Sequence, residues 1–228
     1  MGEIPNIYAL TKLLADKSRI NILTLLMDGR FHTVHEIAMF SKIKDQTTSY
    51  HLMKLKEIEW LESYRQGKNV YYRLSSTDIG DLFETLMNIS EKKPTISYNQ
   101  NLDFINLKKA RSCYSHIAGK LGVDLYRAFI NNELIIETNQ QVAITSRGKS
   151  FFIRMGLNIE SIKLENGIFI KLCMDWTERD FHLSGNFGKA LFNLFLDNSY
   201  VVRNTKNRSL QLTDDGKNFL EKLDLNIY

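Results

Sequence analysis

The sequence predicts a mainly helical α+β fold with small β-hairpins, divided into two parts, on three observations. Residues Asp45–Glu57 carry a packing stripe of Thr48, Leu52, Leu55 and Ile58, while Gln46, Ser49, Tyr50 and Met53 point the other way on a helix turning about 100° per residue. Residues 60–64 and 70–74 then read as two short strands around Gln66-Gly67-Lys68-Asn69. Further on the chain repeats itself: His116-Ile117-Ala118-Gly119-Lys120-Leu121-Gly122 returns as His182-Leu183-Ser184-Gly185-Asn186-Phe187-Gly188. With 228 residues there is material for two compact domains with cores of their own.

From the start of the chain, Pro5 is placed to occupy a first helical position, with Ile7, Leu10 and Leu14 on one face. Asp16 is the expected cap of a second helix burying Ile20, Leu23, Leu26 and Met27 and ending at Gly29. Residues 33–40 give a third, with Val34, Ile37 and Ala38 inward. Asp45 is the expected cap of the fourth, whose exposed first turn offers amide and hydroxyl groups, with Lys54 and Lys56 on the flanks. Short donors and acceptors suit base edges, and cations suit phosphates, so this face has the chemistry of a recognition helix. A hairpin tipped by Lys68 and flanked by Arg65 and Arg73 reads as a wing beside it. The plainer reading of Gln46, Thr47, Ser49, Tyr50 and Lys54 is a solvated helix face. A fifth helix, capped by Ser76 or Thr77, carries Ile79, Leu82, Phe83, Leu86 and Ile89, more apolar residues than a lone surface helix needs.

Taken together, Leu14-Ala15-Asp16-Lys17-Ser18-Arg19-Ile20, Ile22-Leu23, Ser49-Tyr50-His51-Leu52 and the run from Gly67 to Val70-Tyr71-Tyr72-Arg73-Leu74 resemble the ArsR/SmtB family of winged-helix repressors over roughly residues 5 to 90. The resemblance implies a DNA-binding dimer whose first and fifth helices form the interface. It also implies metal sites, and these fit poorly. On the third helix His35 is present and His32 precedes it, without a thiolate, and on the fifth only Asp81 and Glu84 are candidate ligands. His51 falls at the edge of the packed stripe and reads as structural or phosphate-contacting.

Residues 91–100, polar and containing the second proline, break the periodicity, which places domains at 1–92 and 106–228 with a linker at 93–105. In the second domain Leu125, Tyr126, Phe129, Ile130, Asn132 and Ile135 match Leu191, Phe192, Phe195, Leu196, Asn198 and Val201. After a shift of two, Ile144-Thr145-Ser146-Arg147-Gly148-Lys149 matches Leu212-Thr213-Asp214-Asp215-Gly216-Lys217. Each copy reads as a helix, two strands around a polar tip (138–141 and 204–208) and a helix opened by Thr-x-x-Gly, with Thr145 and Thr213 as caps. Two winged-helix-like repeats without a polar recognition helix make a scaffold rather than a second DNA reader. Between the copies, residues 164–175 read as irregular, with Ile168, Ile170 and Leu172 alternating as in a strand.

The net charge of +4 is spread, with 13 Lys/Arg against 12 Asp/Glu up to Lys93 and 17 against 14 after it. A local strip, seven basic against four acidic residues between Ser41 and Arg73, would have to hold DNA. Two cysteines and no apolar N-terminal segment fit a reducing, cytoplasmic setting. No run approaches the roughly 18 to 20 apolar residues of a membrane span.

In the second half Cys113-x-x-His116 and Cys173-x-Asp175-Trp176, followed by His182, would supply a tetrahedral zinc site if the copies face each other. Against this, a lone cysteine is ordinarily a small buried apolar group, a histidine beside a Gly-rich turn is ordinarily a core hydrogen-bonder, and Cys113 and Cys173 do not sit at equivalent repeat positions. Gly119, Gly122, Gly185 and Gly188 serve equally for close helix approach or left-handed turns. Tyr126, Phe181, Phe187 and Trp176 near the histidines favour an effector pocket, although core packing accounts for aromatics as well. An enzyme with Cys173 as nucleophile, His182 as base and Asp175 as orienter lacks any phosphate loop, nucleophile elbow or paired acid motif.

The expectation is thus a cytoplasmic, homodimeric transcriptional repressor with no catalytic residues, binding double-stranded operator DNA through Gln46, Thr47, Ser49, Tyr50, Lys54, Arg65, Lys68 and Arg73. It would release the operator when an unknown small-molecule effector binds the second domain near His116, Tyr126, Trp176 and His182. No cofactor is expected. A metal- or thiol-sensing alternative rests on Cys113, His116, Cys173 and His182, and a protein-interaction scaffold is the further alternative.

Overall fold

The computed structural model describes residues 4–95, 97–139, 141–223 and 225. Residue 140, in one of the expected hairpin tips, and residue 96, in the expected linker, lie outside the described residues. The chain divides into two compact units, Met1–Gly80 and Asp81–Tyr228.

In the first unit α1 (Ile7–Leu14) and α2 (Lys17–Leu26) lead through β1 (His32–Thr33) to α3 (Val34–Ser41), α4 (Asp45–Glu57), β2 (Leu61–Gln66) and β3 (Asn69–Leu74). Asn6 caps α1 by accepting from the Ala9 amide, so Pro5 stands outside the helix rather than at its first position. Asp16 caps α2 as expected, its carboxylate accepting from the Ser18 and Arg19 amides. Thr33 and Glu36 form a capping box on α3. That helix ends at Lys42 in the left-handed conformation, from which the chain turns into α4. Ile22, Leu23, Leu26, Ile37, Leu52 and Leu55 are fully buried and form the centre of this unit. Strand β3 lies between β1 and β2 in an antiparallel sheet, with Tyr64 opposite Tyr71.

The division between units falls inside α5 (Thr77–Ile89), and α6 (Tyr98–Lys109) occupies most of the expected linker. Composition hid this helix because its first turn, Asn99-Gln100-Asn101, continues the polar run that follows Pro94. Ser97 caps it by accepting from the Gln100 amide, and Lys108 and Lys109 stand at its C-terminal end, where cations suit the helix dipole. Then come β4 (Arg111–Cys113), β5 (His116–Ala118), α7 (Lys120–Asn131), β6 (Ile135–Thr138), β7 (Gln141–Ile144) and α8 (Ser146–Met155). After α9 (Ile159–Leu164) the same order returns as β8 (Lys171–Met174), β9 (Phe181–Ser184), α10 (Gly185–Asp197), β10 (Val201–Arg203), β11 (Leu210–Leu212) and α11 (Asp214–Lys222).

Each repeat therefore has one more hairpin than the sequence suggests, placed before its first helix. Thr145 and Thr213 cap α8 and α11 by accepting from the Gly148 and Gly216 amides. The two repeats share one core, in which Phe129, Phe152, Phe187, Phe192 and Phe195 are essentially inaccessible. Phe152 stands edge-to-face to Phe129 at 5.0 Å and to Phe187 at 4.9 Å between centroids, a favoured quadrupole arrangement. Packing is crosswise: β5 of the first repeat lies on α10 of the second, and β9 of the second on α7 of the first.

Candidate functional site

The first candidate site is the exposed face of α4 with its neighbouring hairpin. Thr48, Leu52 and Leu55 face the core as expected and are joined by His51, whereas Ile58 is exposed. His51 Nδ1 lies 3.5 Å from Arg19 Nη1, a structural placement rather than a base-reading one. Gln46, Thr47, Ser49 and Tyr50 are exposed on the opposite face. Asp45 does not cap α4. The cap residue is Lys44 without a side-chain bond, and Asp45 instead lies 3.2 Å from His35 Nδ1, because the turn from Lys42 places it within the first helical turn.

The cations of this face differ in freedom. Lys54 pairs with Glu57 at 2.9 Å, and that hydrogen bond raises its pKa above the usual lysine value. Arg73 is paired with Glu62 and lies 4.4 Å over the Phe31 ring, so its guanidinium is already engaged within the unit. Arg65 and Lys68 are exposed on the hairpin, whose tip turns at Gly67 with φ +60°. Its base is braced by an aromatic ladder that sequence reading missed: Tyr64 stacks on Tyr71 at 5.0 Å, and Phe31 meets Tyr64 edge-on at 4.7 Å. The signal was present in Tyr64, Tyr71 and Phe31, but only strand register brings them together.

The second candidate site lies between the repeats. Cys113 is the direct cross-strand partner of His116, and Cys173 of His182. Directly opposed residues point to the same face, so each hairpin presents one thiol and one imidazole. This corrects the expectation that the cysteines are inequivalent. Two residues separate the strands of the first hairpin and a longer loop those of the second, so equal register is hidden by unequal spacing. His116 Nε2 and His182 Nε2 are 3.1 Å apart, and one ligand atom from each of the four residues lies within 4.8 Å of all the others. Gly122 and Gly188 permit this approach: a Cβ on Gly122 would lie 2.4 Å from the Ile117 carbonyl oxygen and 3.4 Å from His182 Cβ, and one on Gly188 2.6 Å from the Leu183 oxygen and 3.3 Å from His116 Cβ.

The surroundings are buried and charged. Arg111 Nη2 donates to Asp175 Oδ2 at 2.9 Å and lies 3.6 Å from Glu84 Oε2, while Arg208 Nη1 donates to Glu84 Oε1 at 2.6 Å. Asp175 Oδ2 also accepts from the Gly119 amide at 2.6 Å and lies 3.6 Å from His182 Nδ1. Burial pulls the Asp175 carboxyl upward, but Arg111, His182 and these donors outweigh it and hold it well below the usual range. Burial lowers His182 to about 4, so its imidazole is neutral. Cys113 is raised by burial, whereas the hydrogen bond from Cys113 favours thiolate at Cys173.

The four residues expected to bind an effector have other partners. The two imidazoles are too close for an organic molecule to enter between them, the Tyr126 hydroxyl donates to Glu137, and Trp176 lies against Arg111 and Phe104. A cavity with room for a small molecule, about 860 Å³, opens elsewhere, beside Asn106, Lys109, Lys120, Leu121 and the β10–β11 hairpin. The metal sites implied by the resemblance remain unsuited to that role. His32 is engaged with Asp28, His35 with Asp45, Asp81 with Lys171 and Glu84 with Arg208.

A helix-turn-helix pair with a braced hairpin defines the first unit as a winged helix-turn-helix of the DNA-binding class. No family model matches the chain. YdfF, an uncharacterized HTH-type transcriptional regulator of Bacillus subtilis (strain 168), is 36% identical over 218 residues, which are 96% of this chain and 96% of that protein. The cadmium resistance transcriptional regulatory protein CadC of Listeria innocua is 31% identical over 90 residues, 40% of this chain and 76% of its own. The transcriptional repressor SdpR of Bacillus subtilis (strain 168) is 33% identical over 81 residues, 36% of this chain and 89% of its own. The chain belongs to the HTH-type transcriptional regulators, and its N-terminal part is a winged helix of the ArsR/SmtB kind. No helix among the described residues is long and apolar enough to cross a membrane.

Proposed function

We propose that the chain is a dimeric, non-enzymatic repressor of the cytoplasm that reads operator DNA with α4 and the β2–β3 hairpin and releases it in response to a change in its second unit. The observation that carries the DNA reading is the exposed set Gln46, Thr47, Ser49 and Tyr50 beside Arg65 and Lys68: hydrogen-bonding groups aimed outward, with exposed cations alongside. Dimerisation is supported by α1, where Ile7 is 67% and Tyr8 75% exposed and no residue is buried. Helix α5 supports it less than its composition promised, because Phe83 is buried and Leu82 and Leu86 half-buried within one chain. Fluorescence anisotropy with DNA upstream of the chain's own gene, read at several salt concentrations, tests the proposal. Saturable binding stronger than to a scrambled duplex is expected. Equal affinity for both duplexes would overturn it.

A further inference from the structure

We infer that Cys113, His116, Cys173 and His182 bind one divalent, thiophilic cation of the zinc class in a closed tetrahedral site that joins the two repeats. Geometry, donor chemistry, charge and one orphaned ring nitrogen support this. Ligand distances of about 2.0 to 2.1 Å to nitrogen and about 2.3 Å to sulfur place the ligand atoms of a tetrahedral site roughly 3.3 to 3.8 Å apart. The two imidazole nitrogens, 3.1 Å from each other, are already near that separation, and all four ligand atoms fall within 4.8 Å. Small side-chain adjustments, not backbone movement, complete the site.

Donor chemistry narrows the ligand. Two sulfurs and two imidazole nitrogens suit zinc and its softer neighbours and disfavour magnesium or calcium, which require oxygen. All four positions are filled by protein, leaving none for substrate, which is the pattern of a structural or regulatory ion rather than a catalytic one. The charges also close. Arg111 and Arg208 are matched by Glu84 and Asp175, so a divalent ion carrying two thiolates adds no net charge to this interior.

The surroundings also hold a polar group that the protein's own hydrogen bonds leave over. His182 Nδ1 is buried and has no hydrogen-bond partner, yet it faces Asp175 Oδ2 at 3.6 Å. Ligation through Nε2 fixes the proton on Nδ1 and turns that approach into the carboxylate–histidine–metal relation that orients ligating imidazoles. Asp175 is itself held by Arg111, Gly119 and Thr177, so the orienting group is rigid. Because each hairpin gives one cysteine and one histidine, the ion ties the repeats to each other rather than closing one hairpin.

The full-length chain, purified under reducing conditions and dialysed against zinc, tests the inference by elemental analysis, together with titration of the chelated protein with cobalt(II). Equimolar zinc and an intense near-ultraviolet thiolate-to-cobalt band, with d–d absorption of tetrahedral intensity, are expected, and both thiols should be slow toward a disulfide reagent until a chelator is added. Cys113→Ser and Cys173→Ser together should abolish the band. If that double variant misfolds, the wild-type cobalt spectrum and thiol protection decide alone. No bound ion, a spectrum without sulfur ligands, zinc retained by a folded double-serine variant, or a Cys113–Cys173 disulfide persisting in reductant would each overturn the assignment.

Discussion

Arg208 donates to Glu84 at 2.6 Å, linking a side chain of α5 to one 124 residues later in the chain, and both are buried. Burial acts most strongly on Glu84 and would raise its pKa, but Arg208 and Arg111 together bring it below 4.5. Glu84→Gln leaves two buried guanidinium groups with one carboxylate, and removal of one partner from such a cluster costs about 3 to 5 kcal/mol. Since the folded pKa is below the unfolded one, this stabilisation is present above the unfolded value and fades as pH falls through the folded one. Urea denaturation should therefore show a weaker variant at pH 7 whose stability declines less steeply below pH 4.5 than that of the wild type. An unchanged midpoint at pH 7 would remove Glu84 from the framework.

On the DNA face, Gln46→Ala and Tyr50→Ala should reduce discrimination between operator and mutated operator by about 1 to 3 kcal/mol for each base edge left unread. Lys68→Ala should weaken every duplex alike and lower the salt slope by about one. Arg73→Ala should cost more in stability than in DNA affinity, because Arg73 holds Glu62 and covers Phe31. Binding isotherms across salt concentrations distinguish these cases, and a uniform loss for all variants would dissolve the assigned division of roles.

Assembly should depend on α1. Ile7→Glu places a charge where the single chain leaves an apolar side chain uncovered, so sedimentation should shift toward monomer with little change in thermal midpoint. Two-fold dimers set recognition helices about 34 to 36 Å apart, so footprinting should reveal an imperfect palindrome. A monomeric wild type would contradict both expectations.

Gly122→Ala and Gly188→Ala test the centre without replacing a ligand. A methyl group at either site meets a backbone carbonyl, at 2.4 or 2.6 Å, and overpacking of this kind costs about 1 to 3 kcal/mol. Each should also weaken cobalt uptake, because the strand displaced carries His116 in one case and His182 in the other. Retention of full uptake by both would show that the glycines serve packing alone.

Much of the fold was legible because its signals are local. Caps at Asp16, Thr145 and Thr213, the polar face of α4 and the duplicated His-to-Gly segment each lie within a few residues of one another. The leading hairpins were not, since strands of three or four residues have too little alternation to register, and the equivalence of Cys113 and Cys173 exists only in strand pairing. Arg111 and Arg208 carried no signal in the sequence, and Glu84 stood out only as a candidate ligand on the fifth helix. Their burial depends on contacts between distant segments, which no periodicity encodes.

The crosswise grip of each repeat's helix on the other's histidine-bearing strand makes the cluster a caliper. Its opening is set by how far α7 and α10 stand apart, and the packed rings of Phe129, Phe152 and Phe187 run between those helices. An ion with longer bonds than zinc would have to spread the helices against this aromatic filling. Selection by ionic radius is thus delegated to the stiffness of a hydrocarbon interior, and the chain's preference among thiophilic cations should change with phenylalanines that never touch the ion.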